Sequence, residues 1–288
     1  MPEIIPKIRT SVFLLIFGMI FGVLVALVLL AIFIGSTDEV ALMQISLAIG
    51  ELLIPVPIFL WVRKMRSAPR QCFRLKPVSK WSLLAALPLG AGLIILTEEL
   101  DRIIQMLIPL PENFSQITNF MKVDDFVSGF FSIGVVFILG PLVEELVVRG
   151  FFQRVLEYRY KDATKAVLVS ALTFALIHFN PWWLIQIYII GIFLGYVAWR
   201  TNSIWVPFLL HAMYNGSSSL ISNLDESLLP WWCIWKGHVS PPLLITGAVL
   251  LYWGLKTFIR VTPLAERDED VIFIENMYQP TQPPLDNQ

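Results

Sequence analysis

"SVFLLIFGMIFGVLVALVLLAIFIG", Ser11 to Gly35, carries no charged side chain. It has about the length a helix needs to cross a hydrocarbon core roughly 30 Å thick. A secretory leader would pair a shorter apolar region with a small-x-small cleavage site. Neither is evident, so the run reads as a retained first helix. Apolar stretches of this kind recur as far as Ile259, in a chain that is 56% hydrophobic and only 15% charged. Soluble domains carry about 25% charged residues, and the mean hydropathy of +0.70 points the same way. The runs are continuous rather than alternating with period two, which argues against an outer-membrane barrel. The expected fold class is an all-α polytopic membrane protein.

Eight spans are expected, near residues 11–34, 40–62, 81–108, 126–150, 164–181, 182–199, 203–222 and 241–259. Between the second and third lies "RKMRSAPRQCFRLKPVSK", residues 63–80, with Arg63, Lys64, Arg66, Arg70, Arg74, Lys76 and Lys80 and no acid. Short basic connectors face the cytoplasm. Lys7 and Arg9 before the first span, Arg154 to Lys165 after the fourth, Arg200 after the sixth and Arg260 after the eighth fall on that same side. The opposite connectors are acidic or neutral, holding Asp38, Glu39, Glu112, Asp124 and Asp125. Both termini are therefore expected in the cytoplasm, and Cys72 and Cys233 on opposite sides with no disulfide between them. Residues 1–125 read as about three N-terminal spans with connectors, and 126–222 as the core that carries the polar residues. Residues 223–260 read as a connector and last span, and 261–288 as a flexible cytoplasmic tail. The net charge of −1 identifies no partner, and no nucleic acid is expected.

An ionisable side chain at mid-bilayer marks function or a buried pair by default. Glu51 in the second span is one candidate. "TEELDR", Thr97 to Arg102, is a decoy, because it begins roughly 26 Å above Lys80 at 1.5 Å per residue, near the outer interface. There Glu98 and Arg102 read as a surface pair. "GPLVEELVVRGFFQR", Gly140 to Arg154, is different. Continued as a helix, it places Glu145, Arg149, Gln153 and Glu157 on one stripe, with Glu145 one turn before Arg149 in the favourable order. Glu144 lies about 100° away, on another face. One glutamate can then be neutralised while the other stays free for chemistry.

Two of the three histidines also lie in spans, His178 at the end of "FALIH" and His211 at the start of "HAMYN". His211 and Asn215 share a helix face. Counted from the basic flanks, Glu144 lies roughly 22 Å deep and His178 roughly 20–26 Å. His211 and Asn215 lie roughly 17 and 22 Å deep on the same count. Four polar groups from three helices thus share one slab of the membrane. A carboxylate in a low-dielectric pocket is a competent base for water. Histidine can polarise that water, and the Asn215 amide, with His211, can donate to a tetrahedral oxyanion. The same atoms admit a second reading, with Glu144, His178 and His211 as zinc ligands, although no H-E-x-x-H is present. A serine mechanism would draw on Ser217, Ser218 or Ser219, which also suit helix packing.

The three motifs in order, "EELVVR", "FALIH" and "HAMYN", resemble the CPBP intramembrane proteases. That family holds the CAAX prenyl endopeptidases, which cleave isoprenylated proteins, and bacterial relatives linked to bacteriocin processing and self-immunity. The resemblance covers residues 126–222. It implies Glu144 as the base that activates water, His178 as its partner at that water, and His211 and Asn215 as oxyanion stabilisers. Glu145 and Arg149 would support them. No cofactor is required on this reading, and zinc would be the one implied by the other. The expected protein is an endopeptidase of a prokaryotic cytoplasmic membrane, acting on a membrane-associated protein or peptide. A non-catalytic immunity or scaffold protein of the same fold is the rival. A proton-coupled transporter is the third class, and no inverted repeat supports it.

Overall fold

The computed structural model describes residues 5–33, 39–65, 72–111, 123, 126–223 and 232–264. Several residues that set the expected orientation lie outside them, namely Asp38, Arg66, Arg70, Glu112, Asp124, Asp125 and the tail from residue 265. Among the described residues six helices are long and apolar enough to cross a membrane. They run over Ile8–Ile32, Leu42–Lys64, Lys80–Leu107, Gly129–Tyr160, Leu184–Thr201 and Pro241–Val261. The chain is thus a multi-pass, mostly helical membrane protein.

In chain order the elements are α1 (Ile8–Phe33), α2 (Glu39–Leu53), α3 (Val56–Lys64) and α4 (Lys80–Leu107). Then come α5 (Phe126–Phe131), a π-helical segment Ser132–Leu139, α6 (Gly140–Glu145), a second π-helical segment Leu146–Phe152, and α7 (Gln153–Tyr160). A helical hairpin follows, α8 (Ala163–Leu176) and α9 (Leu184–Thr201), then α10 (Trp205–Asn223). A two-stranded hairpin, Ile234–Trp235 with His238–Val239, precedes α11 (Pro241–Val261). The expected second span is interrupted at Pro55, which caps the start of α3 and has no amide hydrogen to continue the ladder from α2.

Two expectations change. The eighteen residues expected to span as 164–181 form a helix of only 14 residues, Ala163–Leu176, about 21 Å long at 1.5 Å per residue. His178 therefore sits in the turn beyond α8 rather than within a span. The fourth span is no uniform α-helix either: it passes through two π-helical stretches on either side of Gly140–Glu145. π-turns of this kind cluster at functional sites, because the wider ring shifts the side chains that follow. The other span absent from the six, α10, is helical for 19 residues, and His211, Asn215 and four serines dilute its apolar character.

Small residues bring the helices together. Apolar surface gains little by leaving lipid for protein, so close backbone approach supplies the packing. Gly92 of α4 faces Gly247 and Leu251 of α11; a Cβ there would collide with the Leu251 amide nitrogen and lie 2.7 Å from the Gly247 carbonyl. Both of these atoms are backbone, so neither can swing aside. Gly92→Val is expected to cost about 1–3 kcal/mol through overpacking, checked as a lower unfolding midpoint in detergent. Two apolar clusters flank the polar core. One gathers Leu15, Ile58, Phe73, Phe151, Phe152 and Phe174, the other Leu89, Leu194, Val206, Leu210 and Phe258. Phe13, Val23, Val28 and Ile32 of α1 point outward, as lipid-facing side chains do.

Candidate active site

Glu145 and Arg149 are fully buried. Arg149 Nη1 donates to Glu145 Oε1 at 2.8 Å, and its Nη2 donates to the Gly191 carbonyl of α9 at 3.4 Å. The guanidinium also lies over the Phe174 ring, 4.0 Å from its centroid. An arginine so enclosed is matched by a carboxylate, a carbonyl and an aromatic face, which together replace the water it has lost. The stripe continues beyond it: Gln153 donates to Glu157 Oε1 and to the Gly195 carbonyl, each at 2.9 Å.

Glu145 Oε1 has a second partner. His211 Nδ1 lies 2.9 Å from it. A carboxylate accepts only, so the Nδ1 hydrogen belongs to this bond, and Nε2 of a neutral ring carries the lone pair. That Nε2 faces Glu144 Oε2 at 3.7 Å. The neighbouring glutamates therefore address opposite edges of one imidazole. His178 arrives from the turn after α8, with Nδ1 donating to the Phe174 carbonyl at 2.6 Å. Its Nε2 lies 3.9 Å from the same Glu144 oxygen. These separations exceed a direct hydrogen bond. Glu144 Oε2 is buried and has no hydrogen-bond partner, although its side chain keeps 26% of its exposure. Phe174 organises both rings, meeting His178 edge-on at 4.7 Å and His211 at 5.6 Å.

Asn215 is one turn beyond His211 on α10 and donates from Nδ2 to the Val136 carbonyl at 3.2 Å. It thereby ties α10 to the first π-helical stretch. Five expected residues thus fall into one group, Glu144 with His178 and His211 and Glu145 with Arg149 and His211, while Asn215 follows His211 by one turn on α10. Glu51 lies just before the α2–α3 break. It borders a cavity of about 140 Å³ whose other lining residues, Ser46 apart, are apolar, Gly22, Ala26, Leu47 and Ile54 among them. Ser217 donates to the Tyr214 carbonyl at 2.8 Å, a bond within its own helix that suits packing. In the decoy, Arg102 pairs with Glu98 at 2.9 Å as expected. Its neighbour Glu99 does more than expected, accepting from His238 Nδ1 and from the Val239 amide, each at 2.8 Å.

Zinc takes nitrogen and oxygen ligands at about 2.0–2.2 Å, which draws the donors into a tight shell. Among the described residues no group of three His, Cys, Asp or Glu side chains gathers in a way that could hold a metal ion. The zinc set Glu144, His178 and His211 has suitable donors but finds no support in this arrangement, and no step below is routed through a metal.

Two contributors escaped the sequence reading. Phe174 was visible only as the first letter of "FALIH", and its packing against three polar groups needs the fold. Arg74 looked like one more cation in a basic connector, yet it is 2% exposed.

The stretch from α5 into α10, residues 126–217, matches the family model of the Rce1-like type II CAAX prenyl endopeptidases. No curated protein and no solved structure matches the chain. The residues gathered around Glu144 and Glu145 all lie inside the matched stretch, and over it the chain is similar to that family of membrane endopeptidases.

Proposed function

We propose that the protein is an intramembrane endopeptidase in which Glu144 activates water to cut a membrane-associated, prenylated protein or peptide. One observation carries the reading: Glu144 Oε2 has no hydrogen-bond partner and is faced by His178 Nε2 at 3.9 Å and His211 Nε2 at 3.7 Å. A water set among these atoms gives one hydrogen to Glu144 and the other to the His178 lone pair. Its own lone pair is then turned toward the substrate carbonyl.

As the water oxygen bonds to the carbonyl carbon, Glu144 takes the proton and the carbonyl oxygen becomes an oxyanion. The second Asn215 amide hydrogen serves that oxyanion, the first being held by the Val136 carbonyl. His211 joins it when Nε2 is also protonated, and Glu145 on Nδ1 stabilises the imidazolium so formed. The carbon–nitrogen bond then breaks, the leaving amine takes the proton from Glu144, and the base is restored. Asn215→Ala is expected to lower kcat about 10²–10³-fold with KM little changed, the usual effect of losing one oxyanion donor. Steady-state cleavage by purified protein measures it.

The reading places the site within reach of the cytoplasmic half of a prokaryotic membrane, with both termini in the cytoplasm. The test compares the membrane proteomes of cells holding wild-type protein and Glu144→Gln. Uncut precursors should accumulate only with the variant. A variant that leaves no precursor and keeps the cellular phenotype makes the protein a binder or immunity scaffold. Metal analysis of active enzyme, with chelator treatment, addresses zinc directly: stoichiometric zinc lost together with activity would replace the water mechanism.

A further inference from the structure

We propose that residues 73–76, acting through Arg74, form a positioning strap that sets the helix of Glu144 and Glu145 against the helix of His211. The inference rests on the proteolytic reading, and the strap lies outside the stretch that matches the family. It enters from the basic connector, where Arg74 is 2% exposed and its backbone adopts the left-handed region at φ 53°. A non-glycine residue held there is strained, and such strain persists where the surroundings over-determine it.

The side chain grips one helix. Arg74 Nη1 donates to the Arg149 carbonyl at 3.2 Å, and Nη2 pairs with the Glu157 carboxylate. Arg149 is the residue that holds Glu145, and Glu157 ends the buried stripe through Gln153. The strap's backbone grips the other helix. The Arg74 carbonyl accepts from the Ile204 amide at 3.1 Å, and the Lys76 carbonyl accepts from Ser203 Oγ at 2.7 Å. Ile204 immediately precedes α10, about two turns before His211. One short segment therefore binds both helices that must keep His211 between the two glutamates. Gly150 makes room for it: a Cβ there would lie 2.7 Å from the Phe73 carbonyl, so the strap rests on bare helix backbone.

The geometry at His211 is demanding, with 2.9 Å to Glu145 on one side and 3.7 Å to Glu144 on the other. A slip of about 1 Å between reacting groups can cost about 10²-fold in rate. A residue that only neutralised Glu157 would stabilise the fold without setting that register.

The test uses full-length protein in membranes, with a farnesylated peptide ending in cysteine, two aliphatic residues and a free terminal residue as the probe. Arg74→Ala is expected to lower kcat about 100-fold while KM stays within about twofold. Amide exchange should rise together in residues 146–152 and 203–211. The double variant Arg74→Ala with Glu157→Gln should remain slow, because the Arg149 carbonyl still lacks its donor from the strap. Wild-type kcat in Arg74→Ala, unchanged exchange in 203–211, or recovery in the double variant would each overturn the strap. Should Arg74→Ala fail to accumulate, Arg74→Lys and Ser203→Ala decide it: kcat should fall about 10-fold in each, and wild-type kcat in both overturns it. A wild-type protein that leaves the probe uncut condemns the substrate reading instead, and the exchange measurement still judges the strap.

Discussion

Glu144→Gln is expected to lower cleavage about 10⁴-fold while the protein accumulates and unfolds like wild type. The rate loss follows from removing the base: an amide cannot take the proton from water, and positioned general bases contribute up to about 10⁴-fold. The intact fold follows from the surroundings. Glu144 Oε2 makes no hydrogen bond, and its imidazole neighbours stand 3.7 and 3.9 Å away. Glutamine has the same shape and breaks nothing structural. Loss of activity together with loss of folding would mean that the carboxylate is a structural group, and the mechanism would fail.

Arg149→Leu should have the opposite signature, a stability loss of about 3–5 kcal/mol, enough to prevent accumulation in a marginal membrane protein. Both partners of the Arg149–Glu145 pair have no exposure, so deleting the guanidinium leaves Glu145 as a buried charge with no cation beside it and the His211 Nδ1 hydrogen as its remaining partner. The leucine also abandons the Gly191 carbonyl and the Phe174 face. Replacing both partners, Glu145→Gln with Arg149→Met, should cost less than Arg149→Leu alone, because no charge is left behind. The Glu98–Arg102 pair provides the contrast. It has the same i,i+4 spacing but is partly exposed, and Arg102→Ala should cost under about 1 kcal/mol. Unfolding in detergent measures all three, and an Arg149→Leu cost as small as that of Arg102→Ala would refute the buried-charge argument.

The contrast shows what spacing can and cannot reveal. "TEELDR" and "EELVVR" both offer paired glutamates with a nearby arginine. Depth along the span separated them, because charge tolerance falls steeply between interface and hydrocarbon. Spacing also anticipated the Glu145–Arg149 pair, which survives the passage into a π-helical stretch. It did not anticipate that Glu144 and Glu145 would meet the two edges of the same imidazole. That arrangement depends on where α10 lies, which no feature within residues 140–154 specifies. The position of His178 was misjudged for a related reason. An apolar run continues past Leu176, and hydropathy does not distinguish helix from the turn that closes the hairpin.

By itself the sequence determined the solvent and the chemistry on offer. Continuous apolar runs leave a helical membrane protein as the economical answer, since lipid satisfies no backbone polar group. Within those runs, two carboxylates, an arginine, two imidazoles and an amide are too costly to bury idly. Only the tertiary structure decided which of them meet and which way each ring nitrogen faces, and that a buried Arg74 from outside the motifs joins the two helices. These are properties of helix register and crossing, set by close contacts between residues far apart in the chain. A local pattern records what a helix carries, whereas its partners are chosen by packing.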